Sequence, residues 1–407
     1  MEQGFLVAED GCDRATAYHM SNKVARHAAG TVVTWLDSEY RCIIALVDPA
    51  TGAVSHAHPI SQGHDNHCGA ALAVTPDGRL HAICGSHALG GFIHRHTADP
   101  TDPTAWSLPE SVGAAATYPS LVAQADGGLV LTYRHTNFSG RWGMMVQRYD
   151  GGSKRWSWPM KLTESPTERY AFPTNSLALG PDGTVHVIVE YYQTPPPGTD
   201  PQCSLAVTHL YSATGATGWH HSDGREVALI PVTIGNSALI DRSPIGNLRP
   251  GTTTVTPAGR VVCTIWNAVD GQLTLWLREL DGTWRSRDLS AAATTGHAGW
   301  SVNSQGRATM DHTGAITVVT TAAPDTAWSS AEQHIVAIRC DAATGEVLAT
   351  DTIAKATPGR ANWLASVESI SGRVPTQPPL LLFTDGNRGD TCINDATCHV
   401  RLAALDF

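Results

Sequence analysis

This 407-residue sequence predicts an all-β fold, a seven-bladed β-propeller with four antiparallel strands per blade. Three observations carry that expectation. Only 16% of the residues are charged, while 38 glycines and 24 prolines punctuate stretches rich in Thr and Val. Such a composition favours strands and turns over helices. A turn glycine, preceded by a short small-apolar run and followed by a β-branched run, recurs at Gly30, Gly78, Gly127, Gly183, Gly259, Gly314 and Gly372. Successive turn glycines lie 48 to 76 residues apart, near the period of about 50 residues that marks propeller blades.

The hairpins run in order as RHAAGTVVTW, TPDGRLHAI, QADGGLVLTY, GPDGTVHVIVEYY, TPAGRVVCTIW, DHTGAITVVT and SISGRVPTQPPLLLF. The segment before each glycine, as in HCGAALAV, YPSLVAQ or PGTTTVT, predicts the innermost strand, and the segment after it the second. Weaker patterns such as MMVQRYD and QLTLWLREL predict the outer pair. The longest interval, between Gly183 and Gly259, holds a Pro-rich loop insertion at Thr194–Gln202. Closing seven sheets into a ring hides their edges. One period running end to end favours a single propeller domain over 1–407; two β-sandwiches are the alternative for a chain of this length.

A formal net charge of −10 argues against non-specific nucleic-acid binding, which needs a basic face. It leaves room for a local basic cleft and a polyanionic substrate. No apolar run approaches the ~18 residues of a membrane span, so no membrane partner is expected. The start, MEQGFLVAEDG, has neither a basic n-region nor a long apolar stretch. The chain is therefore either cytoplasmic or, if a leader was removed, secreted or periplasmic. Nine cysteines, an odd number, do not define a small disulfide scaffold.

In a propeller the residues before each inner strand and after each second strand gather on one face. That rule selects His64, Asp65, His67 and His87 from the second repeat, and Tyr118, Tyr133, Arg134 and His135 from the third. Tyr170, Asn175 and Tyr191 follow, then Arg249, Trp266 and Asn267, then Trp300 and Asn303, and last Asn362 and Trp363. Aromatic and amide side chains suit sugar rings, while Arg and His suit carboxylates or sulfates. The bland readings stand beside these. His81 and His186 lie inside second strands and are expected to bridge blades. Satisfaction by neighbouring backbone accounts equally for His67 and His87, packing at a blade edge for Tyr133, and an ordinary strand ion pair for Arg148.

Other chemistries lack their signatures. There is no clear S-x-D-x-G-x-T-W box, arginine triad, G-x-S-x-G elbow, P-loop or H-E-x-x-H. Asp65 and Glu190 are the only good candidates for a carboxylate pair near the mouth. Cys392, Cys398 and His399 cluster near the C-terminus, and Cys68 and Cys84 flank the second hairpin. Neither group has a standard zinc spacing, so a structural zinc or calcium is allowed without being required.

The second hairpin, with its Asp65-x-His67 start, PDGRLH and closing GSH, resembles the BNR-type propeller family that includes the ulvan lyases. The resemblance covers the second and third repeats well and the rest only as a blade pattern. Its most specific element is the 20-residue spacing from His67 to His87. It implies β-elimination on a uronic-acid-containing polysaccharide, ulvan-like and built of rhamnose with glucuronate or iduronate. Matching places imply His67 and Tyr133 as acid–base groups and His87 with Arg148 as the carboxylate clamp, Arg134 being the alternative to Arg148. The face rule supplies the expected substrate-binding set of Asp65, Arg134, His135, Tyr118, Asn175, Tyr191, Arg249 and Trp266. The family often carries R-D-G-G-S-G after the Tyr; here Arg134 is followed by HTNFSG, which leaves the sugar open. No metal is needed for this chemistry, and a monomer is expected. Two other readings stay open: a rhamnosidase-like glycoside hydrolase and a non-catalytic glycan-binding propeller.

Overall fold

The computed structural model describes all residues except 1–3, 138–139, 169, 172–173, 194–202, 244–245, 328, 358 and 388–395. The expected insertion at Thr194–Gln202 and Cys392 therefore lie outside the described residues. Seven antiparallel sheets follow one another along the chain. Blade 1 spans residues 24–62, blade 2 residues 71–112, blade 3 residues 116–164 and blade 4 residues 175–242. Blade 5 spans 248–288 and blade 6 spans 301–354. Blade 7 is composite. Its inner three strands are Ala361–Val367, Leu380–Gly386 and Cys398–Ala404, and its outermost is the N-terminal strand Phe5–Gly11. That strand pairs Phe5 with Leu402 and Leu6 with Arg401, closing the ring by backbone hydrogen bonds between the chain's two ends. Among the described residues no helix is long and apolar enough to cross a membrane.

The repeated glycines do what their positions require. Gly78, Gly127, Gly183, Gly259 and Gly314 all have φ between +83° and +89°, a left-handed conformation that glycine adopts without a Cβ clash. Each donates its N–H three residues back, as from Gly78 to the Thr75 carbonyl at 2.8 Å. Gly372 differs. Its segment was expected to enter a strand at once, yet the next strand begins at Leu380. The intervening VPTQPP explains the delay, because proline cannot donate to a sheet ladder.

Each blade is buried on both faces, so its second strand reads as a continuous apolar run. The interior is divided into layers between neighbouring blades. Ile44, Leu72 and Leu80 pack between blades 1 and 2, and Val146, Leu177 and Val187 between blades 3 and 4. Val7, Val33 and Leu382 seal blade 7 against blade 1. Two sandwiches would instead have one core each. The small residues of the inner strands stitch the ring together. The Ser120 hydroxyl accepts from the Leu177 N–H at 3.1 Å, Ser176 from Thr253 at 2.9 Å, and Thr309 donates to the Glu368 carbonyl at 2.7 Å.

His81 and His186 bridge strands of their own blades. Nδ1 of His81 lies 3.1 Å from Nε2 of His94, and Nδ1 of His186 lies 3.1 Å from Nε2 of His209. Burial pushes His81 down to about 4, His94 to about 3 and His186 to about 4.

Candidate functional site

A cavity of about 580 Å³ opens at the ring's axis, on the face that carries His67 and Tyr118. Its chemistry comes first from a stretch the strand pattern leaves unassigned. Residues 12–23 leave the N-terminal strand and run into the cavity before blade 1 begins. They bring Arg14, Tyr18 and His19 into its wall. The Arg14 guanidinium donates to the Tyr18 hydroxyl at 2.5 Å and lies 3.1 Å from Nε2 of His67. An arginine can only donate, so Nε2 of His67 accepts. Nδ1 then carries the proton and donates to the Asn66 Oδ1 at 2.6 Å. The Asn66 amide in turn donates to Asp13 at 2.9 Å. This chain fixes both the tautomer and the ring plane of His67.

Asp65 organises the second histidine. Its carboxylate accepts from Nδ1 of His87 at 2.5 Å and from the His67 backbone N–H at 2.8 Å. Burial works against its ionisation, but the His87 hydrogen bond and charge hold it at about 2. The His67 and His87 rings stack with centroids 4.3 Å apart and planes 7° off parallel. His64 is exposed and reaches the His87 carbonyl at 3.0 Å. Burial, then the positive charge of Arg14, pushes His67 down to about 2. Its imidazole is therefore neutral through the physiological range. Burial pushes Tyr18 up to about 12, with Arg14 pulling the other way.

Tyr118 faces Tyr18 edge-on with centroids 4.6 Å apart. Its backbone sits at φ +59°, a conformation costing about 1–2 kcal/mol for a residue with a Cβ. A register shift between Thr117 and Ser120 produces it. Comparable shifts interrupt the inner strands of blade 5, between Pro250 and Thr253, and of blade 7, between Trp363 and Ser366. Such bulges re-aim side chains, and Tyr118, Arg249 and Trp363 all reach the cavity. Behind Tyr118 lies the buried Arg134, its guanidinium 4.5 Å from the Tyr118 ring centre and 5.1 Å from that of Trp142.

Tyr170, 5.0 Å from the Trp142 ring centre, continues this wall toward Tyr192, Arg249, Trp266 and Arg307. Arg249 lies 4.9 Å from the Tyr192 ring centre and 3.5 Å from the fully buried Glu190 carboxylate. Burial raises Glu190 to about 7, with Arg249 opposing. The Trp266 indole donates to the Val302 carbonyl at 3.1 Å, presenting its ring edge-fixed in the wall.

Several expected site residues lie elsewhere. Tyr133 is sealed from solvent among Phe92, Leu121 and Leu131, with its hydroxyl on Gln147 Oε1 at 3.0 Å. Tyr191 is likewise buried, bonded to Ser237 at 2.6 Å. In both cases the neighbour, Arg134 or Tyr192, faces the site, because alternate residues of a strand point to opposite faces. Asn175 is fully buried and accepts from Thr132 at 2.5 Å, tying blade 4 to blade 3. Arg148 is exposed and pairs in register with Val130, near the Gly127 turn on the opposite rim. It cannot clamp a ligand in this cavity. His135 is half-buried at the end of its strand, outside the cavity wall. Asn303 and Asn362 are buried, with Asn303 donating to the Ala327 carbonyl at 3.0 Å. Asn267 bonds Asp270 in a rim turn, and Trp300 stacks on His297.

Arg14, Tyr18, His19, Tyr192 and Arg307 are among the cavity residues that the strand reading passes over. The rule that selects residues ahead of each inner strand, applied to the first repeat with the spacing of the second, points at 17–20, which takes in Tyr18 and His19 but not Arg14. Cys68 and Cys84 are buried, with Cys68 Sγ 3.6 Å from Nδ1 of His64. Cys398 is buried and donates to the Asn387 carbonyl at 3.1 Å, while His399 lies 3.8 Å from Asp385.

A family model described as a BNR repeat-containing family member matches residues 31–292. No curated protein matches the sequence. Among solved structures, a PL25 ulvan lyase is similar over 99% of this chain and 96% of its own, with a TM-score of 0.73 at 14% identity. A PL25 ulvan lyase bound to -[GlcA(1-4)Rha3S]- gives the same values. Polysaccharide lyase Uly1 is similar over 100% of this chain and 98% of its own, with a TM-score of 0.61 at 14% identity. At such identities the likeness is one of fold.

Proposed function

The chain belongs to the BNR repeat-containing family, and from that premise we propose that it is a polysaccharide lyase cleaving a uronic-acid-containing, ulvan-like glycan by β-elimination. The observation that carries this reading is the Arg14 guanidinium touching both the Tyr18 hydroxyl and His67 in the wall of one cavity. The C5 proton of a uronate is barely acidic while the adjacent carboxylate keeps its full negative charge. Positive charge beside that carboxylate lets the developing negative charge spread into an enolate-like intermediate. Arg14, Arg249 and Arg307 supply it here, in a site partly shielded from water. His67, held in one tautomer, is the base for the C5 proton: when the substrate carboxylate takes over the Arg14 guanidinium, the Nε2 lone pair is freed and the positive charge that lowers its basicity is offset. As that proton leaves, its electron pair forms the C4–C5 double bond and the C4–O bond breaks. Tyr18, still protonated and polarised by Arg14, gives its proton to the departing oxygen.

Tyr18 and Tyr118 thus take the place that the sequence resemblance assigns to Tyr133. Asp65 and His87 brace His67 from behind. Tyr170, Tyr192, Trp266 and Trp363 offer ring faces to the apolar sides of neighbouring sugars. The test is a screen of uronate polysaccharides followed by ultraviolet absorbance of the unsaturated product. A lyase generates that absorbance. Reducing ends without it indicate a hydrolase, and binding without either indicates a lectin; both outcomes overturn the proposal. Tyr18→Phe and Arg14→Ala are each expected to lower kcat by about two orders of magnitude.

A further inference from the structure

We propose that His81, His94 and His96 form a binding site for a divalent transition-metal ion of the zinc type, on the face of the ring opposite the cavity. All three come from the second and third strands of blade 2, Leu80–Cys84 and Phe92–His96. His81 pairs in register with His96, and His94 with Ile83. Side chains two apart on a strand share a face, so the three imidazoles project together toward blade 3. Their ligand nitrogens all lie within 4.8 Å of one another. Nδ1 of His81 and Nε2 of His94 are 3.1 Å apart. A tetrahedral zinc with bonds of about 2.0–2.1 Å holds two nitrogens about 3.3 Å apart, so the separation already matches, and the ion would replace the hydrogen bond between them with both rings turned toward it.

The chain contains its own control. Blade 4 repeats the arrangement, with His186 in the place of His81 and His209 in the place of His94, again 3.1 Å apart. There the residue paired with His186 is Tyr211, and among the described residues no third ligand nitrogen joins the pair. The histidine pair is thus a structural unit of this fold, and His96 is what converts one copy into a three-nitrogen set. That copy also opens on a cavity of about 240 Å³, lined by His81, His96, Tyr149 and the Gly78 and Gly127 turns. Solvent can supply a fourth ligand there. Arg79 in that wall is tied to Asp77 at 3.1 Å, which offsets its charge.

His94 also has a partner for its second nitrogen. Nδ1 accepts from the Trp156 indole at 3.1 Å, and the Glu110 carboxylate lies 3.4 Å away. With a metal on Nε2, the imidazole proton moves to Nδ1 and is donated to Glu110, and the Trp156 N–H gives up its acceptor. A carboxylate behind a ligating histidine is the usual support for zinc. Imidazole sets of this kind suit zinc, copper and nickel over magnesium or calcium.

The experiment is zinc titration of the full chain by calorimetry, compared with His96→Tyr, the residue blade 4 already tolerates. One equivalent of zinc is expected for the native chain and lost in H96Y at unchanged thermal stability without metal. Equal zinc uptake by both, or none by the native chain, overturns the site. Should H96Y not fold, Glu110→Gln decides. Weakening of zinc binding by about 10- to 100-fold supports the site, and unchanged affinity overturns it. The lyase reading does not enter this measurement.

Discussion

Replacing Tyr133 by Phe separates a catalytic tyrosine from a structural one. The side chain is completely buried between blades 2 and 3. Its hydroxyl donates to Gln147 Oε1 at 3.0 Å, and the Ala114 N–H reaches it as well. The Gln147 amide cannot turn to compensate, because its Nε2 already donates to the Ser157 carbonyl at 2.8 Å. Tyr133→Phe therefore keeps the ring packing against Phe92 but strands a buried acceptor, Gln147 Oε1. Such losses cost about 1–3 kcal/mol. Urea unfolding should show that loss as a lower midpoint at unchanged slope. Turnover on a uronate polymer should stay within about twofold, since Tyr133 has no path to the cavity. A fall in turnover by two orders of magnitude at native stability would refute the placement of Tyr133 as a core residue.

The remaining expectations follow from the same geometry. Arg148→Ala, on the opposite rim, should change neither turnover nor stability beyond about 0.5 kcal/mol, and a large loss of turnover would return it to the site. Gly251→Ala should unfold or misassemble the ring, because a Cβ there would fall on the Gly306 carbonyl of the next blade's approach. By contrast, Gly127→Ala meets open space and pays only the left-handed strain, about 1–2 kcal/mol; similar losses in the two variants would contradict the close inter-blade approach. Stability should rise with pH between about 4 and 6.5. His19 at about 3, His67 at about 2 and His186 at about 4 stay neutral when folded, whereas in the unfolded chain they protonate below about 6.5. Unfolding then takes up roughly one proton per imidazole, partly offset by Glu190, which is held at about 7 and releases a proton on unfolding. Equal urea midpoints at pH 5 and pH 7.5 would rule out neutral burial of these rings.

What the sequence alone determined is the repeat: where the turns fall, how many blades there are, and which rim carries His64 to His87. Local physics suffices for this. A left-handed turn needs glycine, a strand buried on both faces needs an apolar run, and both recur at a blade's period. Asp65, His67, His87, Tyr118, Arg249, Trp266 and Trp363 were legible because they sit at strand ends on that rim. Tertiary structure decided the rest. Side-chain parity at Tyr133–Arg134 and Tyr191–Tyr192 depends on register, and a one-residue slip sends a side chain to the other face. Bulges in the inner strands reset that parity without leaving a mark in the periodicity. Arg14 and Tyr18 lie on a segment with no alternation, and Arg14 reaches His67, 53 residues further on, at 3.1 Å. Only closure of the ring, with Phe5–Gly11 laid against Cys398–Ala404, carries that segment over the axis. Contacts between residues so distant along the chain are set by packing of the whole, and no local pattern encodes them.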